Sequence, residues 1–214
     1  LGMDSLAITD HGVMYGVIDF YRACKAEGIK PVLGSEVYVS PGSRFDKEAG
    51  VSDERYYHLV LLAENDTGYH NLMKIVSKGF TEGFYYKPRI DMKCLLSLTP
   101  TDTIITTACV ASRMFKGDDW EENFFFFLYK HFGDNLYLEV QCHNEQVQIV
   151  YNEKILEVKD KYGVGLIHAN DSHYILPEDA KYRDLFLRAK GIFYEDESNF
   201  ILDYPDSDTI IERY

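Results

Sequence analysis

Three short stretches of this 214-residue sequence place imidazole, carboxylate and thiol groups where apolar runs end. Thr9-Asp10-His11-Gly12 follows the run Leu6 to Ile8, Thr107-Ala108-Cys109 closes the run that starts at Thr103, and Asn170-Asp171-Ser172-His173 terminates Gly165 to Ala169. Divalent zinc or manganese takes N, O and S ligands, so such groups gathered at one mouth form a metal site more readily than a core. Asp171 and His173 are one residue apart, and in extended backbone both side chains point to the same side. Glu36 sits among apolar neighbours in Pro31 to Val39, where a carboxylate is costly to bury without a cation or donors. His58 begins a further apolar run, Tyr57 to Ala63. In a regular parallel barrel the start of a strand faces the mouth opposite to the strand ends, so His58 joins this set only if its strand is bent or irregular.

Taken singly, each residue also has a structural reading. His58 can be a satisfied core histidine, Cys109 an inert thiol, Asp10 the cap of the turn that follows it, and Glu36 half of an ion pair with Lys or Arg. The D-x-H pair of Asp171 and His173 is the strongest signal, because two ligand types share one strand face. His70 and His131 fall in polar helical segments and His168 points away from the pair's face, so no role is assigned to them. Tyr85, Tyr86, Lys87 and Arg89 offer stacking and charge to a nucleotide or phosphate, or else pack as a surface loop.

The elements that must position these groups alternate in type. β-Branched or apolar runs at 5–9, 31–39, 57–63, 103–108, 136–141 and 165–169 alternate with helix-period segments, the pattern of βα units around a parallel sheet. In the clearest helix, 146–161, Val147, Val150, Tyr151, Ile155 and Val158 recur every three to four residues and predict the packed face. Gly28 and Gly163 each follow a helical stretch and precede a strand, as expected of a helix C-terminus. Segments 40–56 and 83–91 interrupt the alternation and read as loops. Residues 1–190 are expected to form one domain, a βα barrel with units missing, and 191–214 its edge or the start of a linker.

Composition narrows the function classes. Apolar residues make up 46% of the chain and charged residues 27%, enough for a packed core. No apolar run reaches the ~20 residues of a membrane-crossing helix, so no membrane partner is expected. Four cysteines lie far apart without a CxxC pair, which points to reduced cytoplasmic thiols and against a disulfide scaffold or a zinc ribbon. A formal charge of -13 opposes non-specific binding to polyanionic DNA. Leu1-Gly2-Met3-Asp4 resembles neither a signal peptide nor an initiating sequence, and further sequence is expected upstream.

The ordered set TDHG at 9–12, GSEVYV at 34–39, YHLVLLA at 57–63, TAC at 107–109 and NDSHY at 170–174 resembles the PHP family, named for polymerases and histidinol phosphatases. PGSRFDK at 41–47, GYHNLMKIVS at 68–77 and GFYYKPRID at 83–91 resemble its branch in the bacterial replicative DNA polymerase III alpha subunit. The resemblance implies a distorted seven-stranded βα barrel, TIM-like, whose mouth holds up to three divalent ions (zinc, manganese or magnesium). By motif, His11, Glu36, His58, Cys109, Asp171 and His173 fall on ligand positions, including the His58 that regular geometry would exclude. Asp10 and His143, the latter in QCHNEQ, are expected behind the ligands, and Lys87 and Arg89 as phosphate contacts. The family's opening H-x-H strand is expected upstream of Leu1 and the polymerase palm beyond Tyr214. The implied chemistry is phosphoester hydrolysis, as a 3′ to 5′ exonuclease or on pyrophosphate, with DNA, nucleotides and other replicase subunits as partners of the parent. The alternatives are a scaffold that docks a separate proofreading exonuclease and a free-standing histidinol-phosphatase-like enzyme.

Overall fold

The computed structural model describes residues 2–47, 56–192 and 200–214, in two compact units, 2–138 and 139–214. The larger unit carries β1 (Ser5–Ile8), α1 (Val17–Ala26), β2 (Lys30–Val39), β3 (Tyr57–Ala63), α2 (Asp66–Thr81), β4 (Phe84–Tyr85), β5 (Lys87–Ile90), α3 (Met92–Leu95), β6 (Thr103–Thr106) and α4 (Phe126–Phe132). The boundary falls within β7 (Leu136–Val140), and the smaller unit continues with α5 (Gln146–Tyr162), β8 (Gly165–His168), α6 (Ala180–Ala189) and α7 (Ser207–Arg213). The class is α/β, as expected, and the six strands anticipated from the sequence are present within one or two residues. The sheet itself is mixed. β2 pairs antiparallel with β3, β3 antiparallel with β6, and β6 parallel with β7, while β1 and β5 pair parallel with β2.

Strand β2 organises the larger unit because different partners share its edge. β1 pairs with its first half, from Ser5↔Lys30 to Ile8↔Leu33, and β5 pairs with its end at Tyr38↔Arg89 and Val39↔Ile90. Between them, the chain after β1 touches β2 once more in an isolated bridge, His11↔Glu36. Alternation then sorts the side chains. Val37, Val39, Leu59 and Leu61 are buried on one face of β2 and β3, and α2 packs over these strands with Leu72 and Ile75 also buried. Burying side chains of this size contributes about 1.5–3 kcal/mol each. Glu36, Tyr38 and His58 belong to the opposite face. Asn65 starts α2 by accepting the Gly68 amide on its side-chain oxygen at 3.0 Å, and a Cβ on Gly68 would collide with the Asp102 carbonyl, so close packing here requires glycine.

Two expectations change. GFYYKPRID is not a loop: Tyr85 pairs with Lys87 across a tight hairpin whose turn residue, Tyr86, has φ 61°. An aromatic run with Pro88 hides the period-2 signal that marks a strand. In α5, Tyr151, Ile155 and Val158 are buried as predicted, but Val147 and Val150 are exposed and Gln148 takes an inner position. Its amide donates to Asn152 Oδ1 at 2.8 Å, a polar contact that hydrophobic spacing cannot anticipate. Segment 40–47 is irregular as expected, while 48–55 lies outside the described residues. Gly163 ends α5 with φ 68°, and Gly28, with φ 73°, follows the end of α1.

Candidate metal centre

His11, Glu36 and His58 come together although 22 or more residues separate Glu36 from either histidine along the chain. Their donor atoms all lie within 4.8 Å of one another. His11 is set by ladder hydrogen bonds: the Gly12 amide donates to the Glu36 carbonyl at 2.8 Å and the Glu36 amide to the Asp10 carbonyl at 3.1 Å. The Asp10 carboxylate accepts the Gly16 amide at 3.2 Å, closing the turn before α1 and fixing the His11 loop from behind. Ser35 adds a hydroxyl bond to each of the Asp10 and Val13 carbonyls, both at 3.0 Å.

His58 is in reach because β3 runs antiparallel to β2. Its start, His58, therefore stands opposite Tyr38, near the end of β2, and not at the far mouth that an all-parallel barrel would dictate. The expectation that regular geometry excludes His58 is corrected by strand direction alone. Cys109 arrives from the end of β6, which is antiparallel to β3 and so ends beside its start. The His58 amide donates to the Ala111 carbonyl at 3.0 Å, tying the Cys109 loop to β3. Ala108, 1% exposed, holds φ 55°, a left-handed conformation that costs an alanine about 1 kcal/mol or more, and it turns the chain so that Cys109 follows directly.

Three donors surround one carboxylate. His58 Nδ1 lies 2.7 Å from Glu36 Oε1, His11 Nδ1 lies 3.5 Å from Glu36 Oε2, and Cys109 Sγ lies 3.8 Å from Glu36 Oε1 and 3.6 Å from His58 Nδ1. Zinc–nitrogen and zinc–sulfur bonds of about 2.0–2.3 Å imply ligand-to-ligand edges of roughly 3.3–3.8 Å in a tetrahedron, so most of this set already stands near that spacing. Glu36 is buried, with 8% of its side chain exposed, while His11, at 45%, opens the group to solvent. The residues fit a divalent ion: one carboxylate, two imidazoles and a thiol on one side, an accessible edge on the other.

Tyrosine rings line the same face. Tyr38 lies 5.3 Å from the His58 ring and 6.3 Å from His11, and Tyr56 stacks on His58 at 6.1 Å. Sequence reasoning passed over these rings, although Tyr38, two residues after Glu36, shares its strand face by simple alternation. Lys87 places its ammonium 5.4 Å from the Tyr38 ring centroid. Arg89 does something else. It is 3% exposed, donates to the Gly83 and Asp46 carbonyls and lies under Tyr85, so it clamps the 40–47 segment and is not available to a phosphate.

In the smaller unit, Asp171 and His173 lie beyond the end of β8, and not in the extended strand expected to set both side chains on one face, because Asp171 turns the chain into the left-handed region. His173 Nδ1 lies 2.8 Å from the Asp171 carbonyl and 4.0 Å from its carboxylate, and Asp171 carries φ 52°. His143 is 3% exposed beneath Phe200, with Nε2 at 3.1 Å from Gln141 Oε1, and the Gln141 amide donates to Glu139 at 2.9 Å. Burial pushes the His143 pKa down to about 4, which keeps the imidazole neutral at ordinary pH. His70 and His131 each bond a backbone carbonyl, of Asp66 and Leu98, and His168 meets Asn170 and Tyr214.

The family model described as the PHP domain matches residues 1–143, the stretch that carries the whole donor set around Glu36. The chain belongs to the PHP domain family. Curated relatives of this PHP chain include DNA polymerase III subunit alpha of Aquifex aeolicus, 41% identical over 192 residues, covering 83% of this chain and 16% of that protein. The same subunit of Borreliella burgdorferi is 40% identical over 190 residues (86% and 16%), and that of Treponema pallidum 40% over 193 residues (87% and 16%). The chain thus spans about one sixth of the length of the relatives it matches. A crystal structure from Bifidobacterium adolescentis, named as a candidate metal-dependent phosphoesterase, superposes with a TM-score of 0.48 at 12% identity, over 99% of this chain and 86% of that one. Among the described residues, no helix is long and apolar enough to cross a membrane.

Proposed function

We propose that this PHP domain is part of the alpha subunit of a bacterial replicative DNA polymerase III and that it hydrolyses a phosphoester at a divalent metal centre. The observation that carries the reading is the convergence of His11, His58 and Cys109 on the buried Glu36 carboxylate. His11, Glu36, His58 and Cys109 would hold an ion, and the thiol of Cys109 favours zinc over magnesium in that place. Within the smaller unit, Asp171 and His173 offer a carboxylate and an imidazole to a divalent ion, with His143 in support, and within the larger unit Asp10 supports the loop of His11. When bound, such an ion polarises phosphoryl oxygens and lowers the pKa of water.

The residues do the rest. Glu36 and the histidines fix where the phosphoryl group must lie, and the exposed side of His11 leaves an approach for the ester. Water oxygen attacks phosphorus, the P–O ester bond breaks, the leaving oxygen departs with the bonding pair and takes up a proton, and the proton lost by water passes to solvent. A 3′ nucleotide of DNA presents that ester bond, and pyrophosphate presents the analogous P–O bond of an anhydride, with phosphate as the leaving group. DNA, nucleotides and the other replicase subunits are the partners that this reading assigns to the parent, acting in the cytoplasm, with residues 1–190 as the PHP domain and 191–214 as its edge.

The test is elemental analysis of the chain purified without chelator, followed by hydrolysis of single-stranded DNA 3′ ends by the full-length parent. At least one ion per chain, and loss of metal-dependent nuclease activity in an Asp171→Ala, His173→Ala double variant of the parent, are expected. Unchanged nuclease activity in that variant would sink the phosphoesterase reading, and a metal-free wild-type chain would favour a scaffold.

A further inference from the structure

Lys87 places its ammonium over the Tyr38 ring, which also lines the candidate centre. It opens β5, directly after the left-handed turn residue Tyr86, and pairs with Tyr85 across the hairpin. The hairpin is seated against the loop that carries His11: a Cβ on Gly12 would come within 2.7 Å of the Tyr38 ring and 3.1 Å of Pro88 Cγ, so the residue after His11 has to be glycine for β5 to close up. Lys87 Nζ lies 5.4 Å from the Tyr38 ring centroid, and that same ring lies 5.3 Å from His58 and 6.3 Å from His11. One tyrosine ring thus neighbours both the ammonium and the two histidines.

Its contrast with Arg89, two residues on, is informative. Arg89 is buried and bonded to two backbone carbonyls. Lys87 is half-buried, enters no ion pair among the described residues, and is held over an aromatic face by a weak cation–π contact. A charge-assisted bond to a phosphoryl oxygen is stronger than that, and a flexible lysine can turn from the ring to make it. In a chain of formal charge -13, with a buried carboxylate at the centre itself, an anionic ester gains from a cation close to the donor set.

We propose that Lys87 binds a phosphoryl oxygen of the phosphoester held at the His11–Glu36–His58–Cys109 centre and so positions phosphorus beside the donor set. This rests on the phosphoesterase reading above. The experiment titrates inorganic phosphate into the zinc- or manganese-loaded chain by calorimetry, with metal content and urea midpoint measured for every variant. Lys87→Met is expected to weaken phosphate binding about tenfold or more and Lys87→Arg by no more than about threefold, with metal content unchanged in both. Full metal and wild-type phosphate affinity in Lys87→Met would overturn the role of Lys87 and leave the metal centre intact. Loss of metal or of the fold in Lys87→Met, with Lys87→Arg no better at binding phosphate, would make Lys87 a structural cover for Tyr38 and overturn the proposal as well. A wild-type chain that takes up no metal would instead refute the reading on which the proposal stands.

Discussion

Among the described residues of the larger unit two carboxylates are buried, and they are surrounded in opposite ways. Asp91 accepts the Arg44 guanidinium at 2.9 and 3.1 Å, the Arg44 amide at 3.1 Å and the Cys94 amide at 3.1 Å, the last as the N-cap of α3. Arg44 also reaches Glu82 at 2.6 Å, so the 40–47 segment is tied to β5 and the end of α2. Burial raises the Asp91 pKa, but the two backbone amides and the guanidinium outweigh it and hold the carboxyl below its ordinary range. Glu36, equally buried, is met by two imidazoles and a thiol, none of them a permanent cation. The first arrangement is complete within the protein and stabilises a fold, whereas the second assembles the donor types that divalent ions take.

The comparison is sharpest where both carboxylates are removed. Asp91→Ala leaves the Arg44 guanidinium, 13% exposed, with Glu82 as its remaining carboxylate and removes the cap of α3, and a loss of about 3 kcal/mol in urea unfolding is expected, with metal content per folded chain unchanged. Glu36→Gln should act the other way. Metal affinity, followed by competition with a chromogenic chelator, should fall about 100-fold or more, while the unfolding midpoint of the metal-free chain stays level or rises because a buried charge has gone. If both variants destabilised the metal-free chain alike, Glu36 would be a structural carboxylate and the contrast would fail.

Cys109→Ser should have a smaller effect, about tenfold in zinc affinity and less for manganese, since replacing sulfur by oxygen removes the soft ligand. A loss equal for the two metals would place Cys109 outside the centre. The smallest signal is acid sensitivity. With its folded pKa depressed, Asp91 contributes stability that is fully present above the unfolded carboxylate value near ~4 and is lost as pH falls through the lower folded value. Urea midpoints of the metal-free chain below pH ~4 should therefore fall less steeply in Asp91→Asn than in the wild type, and parallel slopes would show that the ion pair does not govern this window.

Much of the centre could be read from residue types. Glu36 in an apolar run and Cys109 after a strand stand out by an unfavourable or unusual placement, and the strands and α5 follow from period and glycine punctuation. The misreadings share a cause. His58 was misplaced by geometry, the β4–β5 hairpin was taken for a loop, and Lys87 and Arg89 were treated as equals. None of these depends on local pattern. Alternating hydrophobicity reads the same in a parallel and an antiparallel strand, and a lysine and an arginine two residues apart differ in fate only through what reaches them from elsewhere in the chain.

The sequence by itself determined the α/β class, the faces of β2 and β3, and the residue types able to hold a metal, because alternation and side-chain chemistry are local properties. The tertiary structure decided which of those residues meet. The reversed direction of β3 brings His58 to the end of β2, a bridge after β1 lays His11 against Glu36, and the 40–47 segment takes Arg89 out of play while Lys87 stays beside Tyr38. Each of these rests on backbone pairing or packing between distant segments, which no local period records.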